Sequence, residues 1–396
     1  MAIIKIKPLW GKIKYEIVIF AVLAVQGALT LARSGGIPTN FLTFYLLDYN
    51  LGFISRAFIG SVVGLLTQRV TEKWLTGFIL LSFLLVYALL ALLLGAMLRR
   101  VPAEQKQAAV FLLAVFLFAN FSVKVFVQNI GLPDVYLFFF VLLAAVCLKN
   151  KVAKWLVPLL CVAGVAAHYG FVMVFFPLVF VMLCYETVQS KNKAGGVLLA
   201  AVSVAATISS SVYFMLFSNS FVKMESEKVY VYLQSKADFP VWRYFVDGIL
   251  FYTDINTGRE VAGFSGFMAV LRETAAEGFR PAGFAGSLIL LTPLFLFFFF
   301  IWKNAIKHST GRFEKTVFLL CLALPLPLLP WFVFSTDTPR FLGEIFVVQF
   351  AALFYMLYDR NEAVAGSLKK AETFFKKYPL LLLLLLVCSL SAAYFK

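Results

Sequence analysis

Asp48, Arg56, Asn129, Asp134, His168, Asp337, Arg340 and Glu344 are ionisable or strongly polar residues at the edges of long apolar stretches. Asp48 stands in LLDYNLGFISRAFIG between Leu47 and Tyr49. A carboxylate desolvated in that way can act as a base, and it can equally cap a helix at an interface. Arg56 follows eight residues later inside an apolar run. An arginine there either snorkels to lipid headgroups or finds an anion, and its planar fork suits a phosphate. In STDTPRFLGE, Pro339 can open a helix that carries Arg340 and Glu344 one turn apart on one face, with Asp337 just outside. These residues form either a plain intrahelical bridge or part of a substrate-binding cluster. His168 in AAHYGF is one of two histidines, placed to serve as an acid/base, a phosphate contact or a structural hydrogen-bonding group. Asn129 and Asp134 in QNIGLPDVY make another polar turn, where Asp134 suits the start of a helix as well as a site. Together the set offers a base and several cations, which is what group transfer from a phosphate-bearing substrate requires.

The elements that must position these residues are apolar. The chain is 62% hydrophobic, holds 45 Phe in 396 residues and is only 14% charged, which excludes an ordinary soluble domain. With about 20 apolar residues needed to cross a hydrocarbon core, eleven spans are expected. They lie at 17–33, 75–98, 108–127, 133–148, 153–168, 171–188, 195–217, 284–302, 316–335, 341–358 and 379–395. The fold class is therefore all-α, a polytopic integral membrane bundle formed as a single transmembrane domain over 1–396. The segment 34–74 reads as a loop with an interfacial or re-entrant helix near 57–66, where Gly52 and Gly60 permit breaks. The 66-residue loop 218–283 reads as two or three short interfacial helices, including one at 265–278. In it Arg243, Asp247, Asp254, Arg259 and Glu260 are either substrate contacts or solvated charges.

Charge sorts these segments. The segments 1–16, 99–107, 149–154, 189–194, 303–315 and 359–378 hold 21 of the 35 Lys and Arg, whereas 218–283 has 7 basic and 8 acidic residues. The positive-inside rule then places the N-terminus and the basic segments in the cytoplasm and the polar cluster outside, at a cell membrane. The net charge of +15 reflects insertion and anionic lipid, not nucleic acid. A retained first span is preferred over a signal peptide at the N-terminus, because the remaining topology balances with it in place. The five cysteines lie in apolar runs with no metal-binding spacing and read as packing residues. Walker A, HExxH, GxSxG, CxxC and DxD patterns are missing, so no cofactor or metal is indicated.

This layout resembles the GT-C superfamily of membrane glycosyltransferases and its polysaccharide polymerase and ligase relatives. The likeness rests on many spans, Asp48 in the first outer loop, polar residues at successive outer turns and a long late outer loop. It is architectural and carries no diagnostic motif. It implies a polyprenyl-(pyro)phosphate-linked sugar donor, a saccharide acceptor, Asp48 as general base, and Arg56 and Arg340 as phosphate ligands. A lipid-linked oligosaccharide flippase or other transporter, or a non-catalytic assembly subunit, remains the alternative. A transporter would be expected to place charge at mid-depth in broken, repeated helices, and no internal repeat is evident.

Overall fold

The computed structural model describes residues 7–54, 56–214, 224–250, 281–330 and 338–391, together with Met268, Arg272 and Phe332. These residues are helical, and the only β pairing among them is an isolated bridge between Val70 and Ala237. The helices that matter below are α1 (Lys7–Ser34), α2 (Ala57–Leu66), α3 (Glu72–Arg100), α4 (Ala103–Phe118), α5 (Asp134–Leu148), α6 (Val157–Ala167) and α7 (Phe176–Gln189). They continue with α8 (Lys193–Val212), α9 (Ser226–Lys236), α10 (Pro281–His308), α11 (Arg312–Ala323), α12 (Thr338–Tyr358), α13 (Glu362–Lys377) and α14 (Pro379–Ser391).

The helical membrane bundle is present, but the expected count of eleven spans is not. Five helices among the described residues, α1, α3, α8, α10 and α12, are long and apolar enough to cross a membrane. The number is six if α13 and α14, bent by 106° at Tyr378, are taken as one broken span. The reason is continuity. The apolar run 171–188 breaks at Phe175, just before Pro177 opens α7, and the run 316–335 leaves α11 at Leu324 before Pro325. The run 108–127 ends as α4 at Phe118, and Asn120 N then donates to Ser389 O (3.0 Å) at the end of α14. At 1.5 Å per residue, α5 with 15 residues and α6 with 11 reach roughly 22 and 16 Å, short of a core of about 30 Å. The first turns of α5 lie in the bundle interior, whereas α6 keeps Leu159 exposed (65%). Asp134, Val135, Tyr136, Leu137 and Phe138 at the start of α5 are all buried. The most enclosed long helix is α12, in which Leu342 to Leu353 are almost entirely buried, apart from Ala351.

The charged segments do sort to two ends. At one, Arg99 of α3 pairs with buried Glu16 of α1, and Lys149 binds Glu186 (2.5 Å) and Asp359. Asn361 donates to Glu314 (2.9 Å) and Lys370 meets His308 (2.8 Å) at the same end. Each of these pairs joins two of the basic segments or their borders, so this is the lysine-rich end. The Asp48 end is the other. The bundle interior is tied by Trp302 Nε1, which donates to Gln349 Oε1 (2.6 Å), while Gln349 Nε2 donates to Cys321 O (2.9 Å). Replacing Gln349 with Leu strands the Trp302 Nε1 donor at the junction of α10, α11 and α12 and leaves Cys321 O with only its bond from Leu324 N (3.3 Å). Thermal unfolding in detergent is expected to show a loss of about 1–2 kcal/mol relative to wild type. All five cysteines are unbridged.

Candidate functional site

The polar residues at the Asp48 end form two neighbouring groups, not one. The first is built on Asp48. Its backbone is extended (φ −137°) and its carboxylate accepts from Asn50 N (3.0 Å) at the start of the turn Tyr49–Leu51, which is the capping geometry allowed by the sequence. The same carboxylate accepts from Tyr232 (3.0 Å) and forms an ion pair with Lys236 (2.6 Å). Asp48 is 5% exposed, so its charge is balanced inside the protein, mainly by Lys236. Tyr232 and Lys236 are four residues apart on α9 and reach Asp48 from one face, while Val229 and Leu233 on that helix are buried. Lys236 also donates to Leu46 O (3.2 Å), and Trp242 N donates to Thr43 Oγ1 (3.0 Å). The first part of the long loop is thus clamped over residues 43–50.

The second group lies at the other end of α2. Arg56 precedes that helix in a left-handed conformation (φ 67°), which is uncommon for a residue with a side chain. Its Nη2 donates to the Tyr169 hydroxyl (2.9 Å), and the guanidinium lies 5.0 Å from the Tyr169 ring centroid. Among the described residues no carboxylate lies within 4 Å of Arg56, and its buried Nε makes no hydrogen bond. Gly64, beside Asp48, follows Arg56 by eight residues, which is roughly 12 Å along the helix axis. The sequence allowed Asp48 as a partner for Arg56, and the structure gives Asp48 to Lys236 instead.

His168 stands next to Tyr169 in the turn beyond α6, its ring stacked on the Tyr169 ring (4.9 Å between centroids). Its Nδ1 accepts from Gly170 N (3.0 Å), which in the neutral ring leaves the proton on Nε2. Burial lowers the His168 pKa well below its usual range, and the charges of Arg56 and Arg340 lower it further. A neutral His168 with this tautomer is a hydrogen-bond donor at Nε2. Since its folded pKa lies below the unfolded value of about 6.5, the unfolded chain takes up the proton first. Stability is therefore expected to fall as pH drops below about 6.5, and to fall less in His168→Gln, as read by thermal unfolding at pH 7.5, 6.5 and 5.5.

Arg340, near the start of α12, reaches across to Asp134 at the start of α5, with 3.6 Å between Nε and Oδ2. That distance makes an ion pair without hydrogen-bond geometry. Glu344, one turn further along α12, is 1% exposed. Near them the buried hydroxyls of Tyr45 and Tyr136 face each other, with rings 6.0 Å apart and Ser82 beside Tyr136.

The remaining expectations divide. Asn129 Nδ2 turns back to Val125 O (2.9 Å) and ends a short helix, which is a structural use. Arg243 is tied to Glu227 (2.5 Å) and Asp247 (2.7 Å), whose hydrogen bonds, that of Asp247 first, raise its pKa. It clamps the loop together. Asp254, Arg259, Glu260 and Asp337 lie outside the described residues, as does the helix expected at 265–278 apart from Met268 and Arg272. Tyr169, Tyr232 and Lys236 were not singled out from the sequence. The i, i+4 spacing of Tyr232 and Lys236 was the available signal. Among the described residues no group of three or more His, Cys, Asp or Glu gathers as a metal site.

No family model, no curated protein and no solved structure matches this chain. The fold and the site define an all-helical protein whose apolar helices fit a multi-pass membrane bundle, with a buried polar and cationic region at one end.

Proposed function

We propose that the chain is a membrane glycosyltransferase or oligosaccharide polymerase. It would take its sugar from a polyprenyl-(pyro)phosphate donor at the extracytoplasmic face, for cell-surface polysaccharide or glycoconjugate synthesis. The observation that carries this reading is Arg56, a guanidinium without a carboxylate partner among the described residues, set beside the donor His168 with Arg340 nearby. The positive-inside rule assigns the lysine-rich end to the cytoplasm, which leaves this patch facing outward, where a lipid-linked sugar would present its phosphate. The acceptor hydroxyl attacks the anomeric carbon and gives its proton to Asp48 as the bond from that carbon to the phosphate oxygen breaks. The leaving phosphate gains charge, which Arg56, Arg340 and the Nε2–H of His168 stabilise. Asp48 and Arg56 lie at opposite ends of α2, roughly 12 Å apart along its axis, so the base and the phosphate ligand would address opposite ends of the donor headgroup. Lys236 then acts as the counter-charge that positions the Asp48 carboxylate.

The test is transfer from radiolabelled polyprenyl-linked sugars by the purified protein in detergent, comparing wild type with Asp48→Asn and Arg340→Ala. Wild type is expected to form product, and both variants to lose about 10²-fold or more in turnover while eluting as folded protein. A broad donor panel that yields no product, with proteoliposomes that instead move the lipid-linked sugar across the bilayer, would replace this reading with a transporter.

A further inference from the structure

The lysine-rich end holds an apolar cavity that the proposed chemistry does not use. It measures about 180 Å³ and lies between α3, α5 and α12, with Met97, Leu142, Ala145 and Ala351 in its wall. Its rim includes Leu93, which is half-buried, and Val146, which is 42% exposed, so it reaches the bundle surface between α3 and α5. Tyr358 and Lys149 line the part of the cavity nearest the lysine-rich end. Lys149 is already engaged by Glu186 and Asp359. Arg100 is not so engaged. Its guanidinium carbon stands 3.9 Å from the Tyr358 ring centroid, and among the described residues no carboxylate lies within 4 Å of it. Lys151 and Lys154 line a polar pocket that continues beyond Lys149.

An apolar slot that opens sideways from a membrane bundle and ends at Tyr358, with the Arg100 guanidinium on the ring of that tyrosine, has the two halves of a lipid site. The slot buries hydrocarbon, and the guanidinium takes a phosphate through charge-assisted hydrogen bonds. We infer that this cavity holds one acyl chain of an anionic diacyl phospholipid whose headgroup phosphate sits on Arg100. The surplus of Lys and Arg over carboxylates at this end favours an anionic headgroup over a zwitterionic one. The site is separate from the Arg56 region, so its success or failure leaves the proposed transfer chemistry standing.

Native mass spectrometry of the full chain in detergent, with phosphatidylglycerol or phosphatidylcholine added, tests the assignment. Wild type is expected to retain one phosphatidylglycerol under conditions that strip phosphatidylcholine. Arg100→Ala, at an exposed position, is expected to weaken that retention about fivefold or more. Ala145→Phe, which fills the slot, should abolish it, and Val146→Trp at the rim gives the same readout from a less enclosed position. Equal retention of the two lipids, or an adduct indifferent to Arg100→Ala and to both cavity variants, overturns the inference. Preferential retention of a polyprenyl phosphate over phosphatidylglycerol assigns the slot to an isoprenoid chain and overturns the diacyl reading.

Discussion

Arg56→Gly is expected to lower transfer turnover by about 10²–10³-fold while leaving the protein as stable as wild type or slightly more so. The two halves of this expectation come from different properties of one residue. Among the described residues the guanidinium has no carboxylate within 4 Å, one hydrogen bond to Tyr169 and a buried Nε that has none. A cation that meets charge developing on a leaving phosphate acts in the transition state, so its removal lowers turnover more than it raises KM. The backbone of Arg56, at φ 67°, carries a conformation that costs a side-chain-bearing residue of order 1 kcal/mol or more. Glycine adopts it freely, so Arg56→Gly removes the charge without stressing the turn, whereas Arg56→Ala keeps the strain and loses the Tyr169 contact. Arg56→Lys keeps a charge but not the fork, and an intermediate loss is expected. Measured kcat, KM and thermal midpoints for the three variants check this. An Arg56→Gly protein that turns over at the wild-type rate would remove the cationic patch from the mechanism.

The polar character of the region around Arg56 was legible in the sequence, its pairings were not, and the reasons are physical. The two-ended charge sorting was readable because the basic segments are short and each has its own excess. Contacts such as Lys149–Glu186 and Asn361–Glu314 then join those segments at one end. The span count was not readable because hydropathy sums apolar residues without asking whether one helix carries them. Phe175 and Leu324–Pro325 break runs that look continuous by composition alone. His168, Arg56, Arg340 and Asp134 stood out in the sequence because each is a polar residue isolated beside apolar helices, and the structure sets Arg340 against Asp134 and His168 near Arg56. The partner of Asp48 was missed because Lys236 lies 188 residues away in a stretch of alternating charge and aromatic character, where a charge reads as solvated. Arg243 shows the converse. It looked available in the sequence, and Glu227 and Asp247 occupy it.

Gly60→Ala is expected to disrupt the protein far more than a single methyl group usually does, by more than about 3 kcal/mol. The sequence suggested that Gly60 permits a break, yet it sits inside α2, and what it permits is contact. A Cβ there would lie 1.8 Å from Leu47 O and 2.8 Å from the Leu47 carbonyl carbon. Backbone cannot yield as a side-chain tip can, and this backbone is pinned on both sides. Tyr49 N donates to Ser61 Oγ (3.0 Å) of α2 itself, and Lys236 holds both Leu46 O and the Asp48 carboxylate from the long loop. Moving Leu47 away from α2 therefore strains the Asp48–Lys236 pair as well as the packing. Gly64, one turn later on the same helix, is the control. Its nearest neighbour to an added Cβ is Asp48 Oδ2 at 3.7 Å, an ordinary contact, and alanine gains up to about 1 kcal/mol in helix propensity. Thermal unfolding should thus drop by about 5 °C or more in Gly60→Ala, or the protein should fail to purify as a single species, while Gly64→Ala stays close to wild type. If both variants behaved alike, α2 would not be seated on Leu47. The placement of Asp48 relative to Arg56, on which the proposed transfer geometry rests, would lose its structural basis.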